Sequence, residues 1–83
     1  MAVLELPEPD RFGPEQVIVL NDAETGRRAY VVVDNLAAGP AIGGVRMAAD
    51  VSVVEVARLA RAMTLKNAAA GLPHGGAKAG IVA

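Results

Sequence analysis

Thr64-Leu-Lys66-Asn-Ala-Ala-Ala-Gly71-Leu-Pro73-His74-Gly75-Gly76-Ala-Lys78-Ala-Gly80 holds the only two lysines of an 83-residue sequence, twelve positions apart, with its only histidine between them. The stretch decides the fold because its period changes along it. Up to Ala70 it continues a helical pattern. Gly71 supplies a left-handed cap and Pro73 forbids continuation. Ala79-Gly80-Ile81-Val82-Ala83 then reads as the opening of a strand. Lys66 therefore closes a helix, and Lys78 is expected in the glycine-rich turn before the strand.

Working back, the helix is predicted over residues 53–70, which lack Gly and Pro and are rich in Ala, Leu, Arg and Met. Ser52 and Glu55 have capping-box spacing, in which each side chain satisfies a free amide of the first turn. Steps of about 100° per residue place Val56, Leu59, Ala60, Met63, Asn67 and Ala70 on one stripe. Arg58 and Arg61 fall opposite. Lys66 falls at the stripe's border beside Leu59, an odd position for a lysine serving only solubility.

Further back, Gly39-Pro40-Ala41-Ile42-Gly43-Gly44-Val45-Arg46-Met47 is a glycine-rich loop entering a short strand at Val45. Gln16–Leu20 and Arg28–Asp34 are β-branched, apolar runs and read as strands. Between them, Asn21, Asp22 and Gly26 have the chemistry of a tight turn, so the two form a hairpin. Their continuous apolar character predicts burial on both faces of the sheet. Residues 1–14, with Pro7, Pro9, Gly13 and Pro14, form an irregular segment with room only for a short element before Pro7. Strand, strand, glycine loop, long helix, strand is an α/β order: a small sheet with the helix packed across it.

Composition narrows the function. Hydrophobic residues make up 53% of the chain, which argues against disorder. They are mostly Ala and Val, however, and a chain this short buries only about 60% of its unfolded surface. So thin a core predicts packing against more protein. A net charge of −1 leaves no footprint for nucleic acid or anionic membrane. No cysteine is present, which excludes disulfides and thiolate metal sites and is compatible with a reducing cytoplasm. Neither a signal peptide nor an apolar run of the roughly 20 residues needed to span a bilayer is visible.

Gly75-Gly76-Ala77-Lys78 fails as a phosphate loop. Ala77 separates Gly from Lys, Ala79 replaces the hydroxyl residue, and a strand follows rather than a helix. Gly39, Gly43 and Gly44 miss the G-x-G-x-x-G spacing of a dinucleotide cradle. A lysine-based site for a small anionic or carbonyl-containing molecule fits better. Lysine is a compact point charge for a carboxylate, and desolvation with a neighbouring cation tunes a catalytic lysine to roughly pH 7–8. The plainer alternative is two solvated lysines and an ordinary Gly-Gly turn.

Gly39-Pro-Ala-Ile-Gly-Gly-Val-Arg46-Met47, Met63-Thr-Leu-Lys66-Asn-Ala-Ala-Ala-Gly-Leu72 and Gly75-Gly-Ala-Lys78 together resemble the N-terminal segment of the glutamate/leucine/phenylalanine/valine dehydrogenases. The resemblance covers most of residues 15–82. It implies an enzyme that interconverts an L-amino acid with its 2-oxo acid and ammonia, using NAD or NADP. It further implies that Lys66 pairs with the substrate α-carboxylate. Lys78 would be catalytic, polarising the 2-oxo group and the attacking water. Gly43 and Gly44 would line the pocket with backbone, and Met63 would form part of its apolar wall. Arg46 and His74 receive no chemistry, and a lone histidine is no metal site.

Ile42 is the informative departure. Glutamate-specific members typically place a lysine there, to meet the side-chain carboxylate. An apolar residue leaves that charge unpaired at a cost of several kcal/mol, so the sequence looks more like the leucine, valine or phenylalanine branch. The family's catalytic aspartate and its dinucleotide-binding domain would lie downstream of residues 15–83, which read as an incomplete N-terminal substrate-binding and oligomerisation domain. The resemblance implies a cytoplasmic homo-oligomer, with these 83 residues inactive alone. A glutamate dehydrogenase of the same family and a non-catalytic oligomerisation or ligand-binding module are the competing readings.

Overall fold

A computed structural model describes residues 4–83. The elements are strands β1 (Gln16–Asn21), β2 (Arg28–Val33) and β3 (Val45–Ala48), helix α1 (Val53–Ala69) and strand β4 (Ala77–Val82). They form one four-stranded sheet in the order β1-β2-β4-β3, with α1 across one face. β1 and β2 are the expected antiparallel hairpin. Asp22 closes it by accepting from the Glu24 amide and the Thr25 hydroxyl, while Gly26 takes a positive φ of 71°. β4 inserts between β2, antiparallel, and β3, parallel. β3–α1–β4 is thus a parallel crossover unit.

Helix α1 starts and stops as its sequence dictates. Ser52 Oγ accepts from the Glu55 amide at 3.2 Å. The reciprocal half of the capping box is replaced, because the Glu55 carboxylate instead lies 2.9 Å from Arg46 Nε in β3. That contact is an ion pair by distance, with the N–H turned off the hydrogen-bond direction. At the other end Leu72 N–H donates to Asn67 O and Gly71 N–H to Ala68 O, with Gly71 at φ 69°. This is a Schellman motif.

The core is thin, as its composition implied. Val32, Val53, Val56 and Ala60 are fully buried, with Tyr30, Val51 and Ala57 around them. Each buried valine stabilises by about 1.5–3 kcal/mol, against about 1 kcal/mol for the Ser52 cap. Packing on the sheet, more than capping, holds the helix. Burial on both sheet faces did not materialise. Ile18, Leu20, Val45 and Met47 are exposed on the face away from α1, since the described residues supply one helical layer and it covers the other face.

The buried stripe of α1 is rotated by about 60° from the expected one, at 3.6 residues per turn. It runs through Val53, Val56, Ala57, Ala60 and Asn67. Leu59 and Met63 are only half-buried, and Lys66 and Ala70 are exposed. The rotation buries Val53 and Ala57 against the sheet and brings Arg61 to two carboxylates. Arg61, expected opposite the core, turns under the helix to donate from Nε to buried Asp34 at 2.8 Å, and from both terminal nitrogens to Asp10 at 2.9 Å. Thr64 Oγ1 adds a 2.7 Å bond to Asp34. Residues 4–14 hold no helix or strand and dock through Asp10 on Arg61, through Asn35 Nδ2 donating to Phe12 O at 2.7 Å and through the close approach of Gly13 to Asp34 O.

Two outcomes test the packing. Arg61, and next the Phe12 amide, hold the Asp10 carboxyl well below its ordinary 3.8. A folded-state value depressed in this way contributes stability that is present above pH 3.8 and lost as pH falls through the folded value. Carbon NMR of Asp10 should therefore titrate with a midpoint below 3.8, and Asp10→Asn should release the segment at neutral pH. A Cβ on Gly76 would strike Thr64 N and Ala60 O, whereas one on Gly26 meets nothing within 4 Å. Urea unfolding should show Gly76→Ala costing about 1–3 kcal/mol or more from overpacking. Gly26→Ala should cost only the strain of its positive φ, about 1 kcal/mol.

Candidate functional site

Lys78 lies within β4 rather than in a turn. The strand begins at Ala77 because Gly76 and Ala77 already pair on both sides: Asp34 N–H donates to Gly76 O, and Ala77 N–H donates to Ile42 O. The glycine loop accordingly zips along β4 as an extension of β3, with Ala79 N–H donating to Gly44 O. Strand alternation puts Gly76, Lys78 and Gly80 on the side that faces α1. Both glycines are pressed beneath the helix, Gly76 against Ala60 and Thr64, Gly80 against Val51 and Val56. Lys78 is the full side chain between them. Its ammonium leaves toward the β3 edge and lies 3.1 Å from the point a Gly44 Cβ would occupy.

The other predicted residues meet Lys78 unequally. Ile42, Gly43 and Gly44 are direct neighbours through the backbone pairing. Gly43 is needed for that pairing itself, since a Cβ there would strike Ala77 O; Gly44 is the glycine that faces the lysine. Ile42 is 40% exposed, so it is free to meet another molecule. Lys66 and Met63 reach the same side through helix geometry. Glu55 contacts Arg46 of β3 and so marks the flank of α1 that faces the β3 edge. Lys66 is eleven residues further on, three turns and about 16 Å along the helix, on that same flank. Since α1 runs antiparallel to β3, this carries Lys66 toward Ile42, which lies about 13 Å back along the strand direction from Arg46. Met63 sits one turn earlier, between that flank and the core.

Charge is partitioned between the two flanks of α1. Arg61 neutralises Asp10 and Asp34 on one side, and Arg46 takes Glu55 and Asp50 on the other. Among the described residues neither Lys66 nor Lys78 forms an ion pair. An uncompensated Lys78 ammonium beside Gly44, with a second uncompensated lysine on the same flank of α1 and an exposed isoleucine on the adjoining loop, is suited to a small anion carrying a second polar group and an apolar tail. A cleft of about 400 Å³ bounded by Val31, Ile42, Gly44 and Ala79 opens on the opposite, helix-free sheet face. Lys78 borders it by its backbone, because alternation directs the side chain the other way.

None of the described residues makes a dinucleotide cradle. Gly39, Gly43, Gly75 and Gly76 are occupied in backbone-to-backbone contacts, with a Cβ at each striking Pro73 O, Ala77 O, Asn35 O and Thr64 N respectively. No group of three potential metal ligands occurs among the described residues, and no helix is long and apolar enough to cross a membrane.

Sequence reasoning placed Asn67 on the helix stripe without giving it a task and missed the bonds that hold the site's scaffold. Asn67 is buried and donates from Nδ2 to Gly75 O at 2.9 Å. His74 lies in the irregular link between α1 and β4, where its Nδ1 is 2.9 Å from Pro40 O and joins the two glycine loops. An amide inside an apolar stripe was the available signal, because buried polar groups find partners.

Known proteins resemble this chain in sequence and in fold. The chain is 42% identical over 77 residues to valine dehydrogenase of Streptomyces virginiae and 40% identical to leucine dehydrogenase of Bacillus cereus. Each match covers 88% of this chain but only 22% and 21% of the relative, so the chain spans about a fifth of their length. Among solved structures, a hetero-hexameric glutamate dehydrogenase from Thermus thermophilus (Leu bound form) matches with a TM-score of 0.77 at 39% identity, over 83% of this chain and 18% of that one. L-tryptophan dehydrogenase from Nostoc punctiforme matches with the same TM-score at 33% identity, over 83% of this chain and 22% of that one. A sequence model described as "Glu/Leu/Phe/Val dehydrogenase, dimerisation domain" matches residues 14–83. The match over residues 14–83, with these relatives and shared fold, places this chain in the Glu/Leu/Phe/Val dehydrogenase family.

Proposed function

We propose that these residues form the substrate-binding part of an amino-acid dehydrogenase that oxidatively deaminates an L-amino acid with an apolar side chain to its 2-oxo acid and ammonia. The observation carrying this reading is the pair of uncompensated lysines on the β3 flank of α1, with Gly44 beneath Lys78 and Ile42 exposed beside them.

Lys66 binds the substrate α-carboxylate, its ammonium donating to the carboxylate oxygens. Lys78 acts at the α-carbon. As an ammonium it donates to the oxygen of the 2-oxo group, and as the free amine it accepts a proton from the attacking water. It stands between Gly76 and Gly80 on the helix-facing side of β4, with its Nζ beside Gly44. Gly43 and Gly44 offer backbone at close range, and Met63 and Ile42 supply apolar surface toward the side chain. NAD or NADP, the hydride acceptor such chemistry requires, would be held outside the described residues. Assembly into a homo-oligomer is supported by the family description as a dimerisation domain. The reading of Ile42 favours leucine, valine or phenylalanine over glutamate, because an isoleucine leaves a second carboxylate without a cation.

The test is to express the full reading frame encoding these residues and assay reduction of NAD and NADP with leucine, valine, phenylalanine and glutamate. Turnover of the apolar substrates supports the proposal. Turnover of glutamate alone contradicts the substrate class, and inactivity with all four favours a non-catalytic module. Lys78→Ala should lower kcat by about 10²–10⁴-fold, the usual contribution of a positioned acid–base group. Lys66→Ala should act mainly on the amino-acid KM, by about 10–100-fold for a lost charged hydrogen bond of about 1.5–3 kcal/mol. Ile42→Lys should shift preference toward glutamate, read as the ratio of kcat/KM for glutamate to that for leucine. An unchanged ratio would remove Ile42 from the specificity pocket.

A further inference from the structure

One backbone oxygen joins every element of the proposed site. Gly75 O accepts from Asn67 Nδ2 at 2.9 Å and from Ile42 N at 3.1 Å. Asn67 adjoins Lys66 on α1, Ile42 leads into Gly43 and Gly44, and Gly75 leads into β4 and Lys78. Gly75 itself is immobilised, because its Cα lies so close to Asn35 O that even a methyl group has no room. Asn67 is 4% exposed and spends its main-chain carbonyl on Leu72 N, in the cap that reverses the chain between the two lysines. Both ends of this residue therefore fasten the 71–76 loop to the last turn of the helix.

We propose that Asn67 is a positioning residue that fixes Lys66 relative to Lys78. This rests on the assignment of the two lysines made above. Without the carboxamide donor, α1 keeps its valine packing near Val53 and Val56, but its last turn, which carries Lys66, loses its buried link to the strand that carries Lys78. Ile42 N–H still holds Gly75 O, so Gly44 and Lys78 stay in register. The displacement falls selectively on Lys66. A carboxylate at this position would face the Gly75 carbonyl without a proton to share, so Asn67→Asp should act like Asn67→Ala. Asn67→Gln keeps the donor on a longer stem and should recover part of the loss.

The experiment compares wild type, Asn67→Ala, Asn67→Asp and Asn67→Gln in the full reading frame, below the unfolding temperature of each. With leucine as the varied substrate, kcat/KM should fall by about 10–100-fold in the Ala and Asp variants, the size expected of an ångström-scale misplacement. The fall should reside mostly in KM for leucine, with KM for the dinucleotide within about twofold of wild type. A purely structural role would lower the unfolding temperature and the active fraction while leaving leucine KM per active site unchanged, and that result overturns the proposal. A second readout is independent of activity: spin labels on Lys66→Cys and Lys78→Cys, measured by pulsed electron resonance. Their distance distribution should be narrow with Asn67 and broader or shifted with Ala. An identical distribution overturns the positioning role even if the enzyme turns over another substrate. If wild type is inactive with every amino acid, the functional reading fails while the distance measurement still decides the role of Asn67.

Discussion

The structure depends on backbones approaching one another where side chains are absent. Gly43 lies against Ala77 O, Gly75 against Asn35 O and Gly76 against helix α1 at Ala60 and Thr64. A single methyl group at any of them would push two elements apart. These contacts let the loop before β3 zip onto β4, and let β4 run close under the helix. The core above them is small, with four fully buried apolar side chains among the described residues, so close backbone approach and its hydrogen bonds carry a share of the organisation that larger side chains carry elsewhere. Function follows from the same constraint. Lys78 stands between two glycines pressed beneath the helix, and its ammonium lies beside Gly44.

Electrostatics completes the division of labour. Arg61 ties the N-terminal segment and the end of β2 to α1 through Asp10 and Asp34, and Arg46 engages Glu55 and Asp50 at the other edge. The arginines, whose planar forks suit carboxylates, serve the scaffold. The lysines share the β3 flank with the Arg46 pairs, but among the described residues neither has an acidic partner.

Most of the architecture was legible in the sequence. Ser52, Gly71 and Pro73 set the helix ends, and Asp22 and Gly26 the hairpin, because such signals act through the few residues around them. What was not legible required knowledge of partners distant in sequence. Arg61 looked solvated because Asp10 and Asp34 lie 51 and 27 positions away. The buried stripe runs through Val53 and Ala57 instead, which leaves Lys66 exposed rather than at the core border. Lys78 was read as a turn residue because local glycines mark turns, whereas its position between β2 and β3 is a property of the sheet. Burial on both faces was expected from apolar runs, which report an opportunity for burial and not the presence of a second layer. The motif residues Ile42, Gly43, Gly44 and Lys78 do come together, through backbone pairing of the glycine loop with Gly75, Ala77 and Ala79, while Asn67 and His74, to which sequence reasoning gave no chemistry, tie the surrounding loops.

The central claim is that Lys66 and Lys78 converge on one small anion from the β3 flank of the helix. A crystal structure of the full reading frame with 2-oxo-4-methylpentanoate tests it directly. The account predicts a carboxylate oxygen about 3 Å from Lys66 Nζ and the 2-oxo oxygen about 3 Å from Lys78 Nζ, at hydrogen-bond range, with the branched tail toward Ile42. A ligand bound with its carboxylate away from Lys66, or seated on the helix-free face of the sheet, would contradict it.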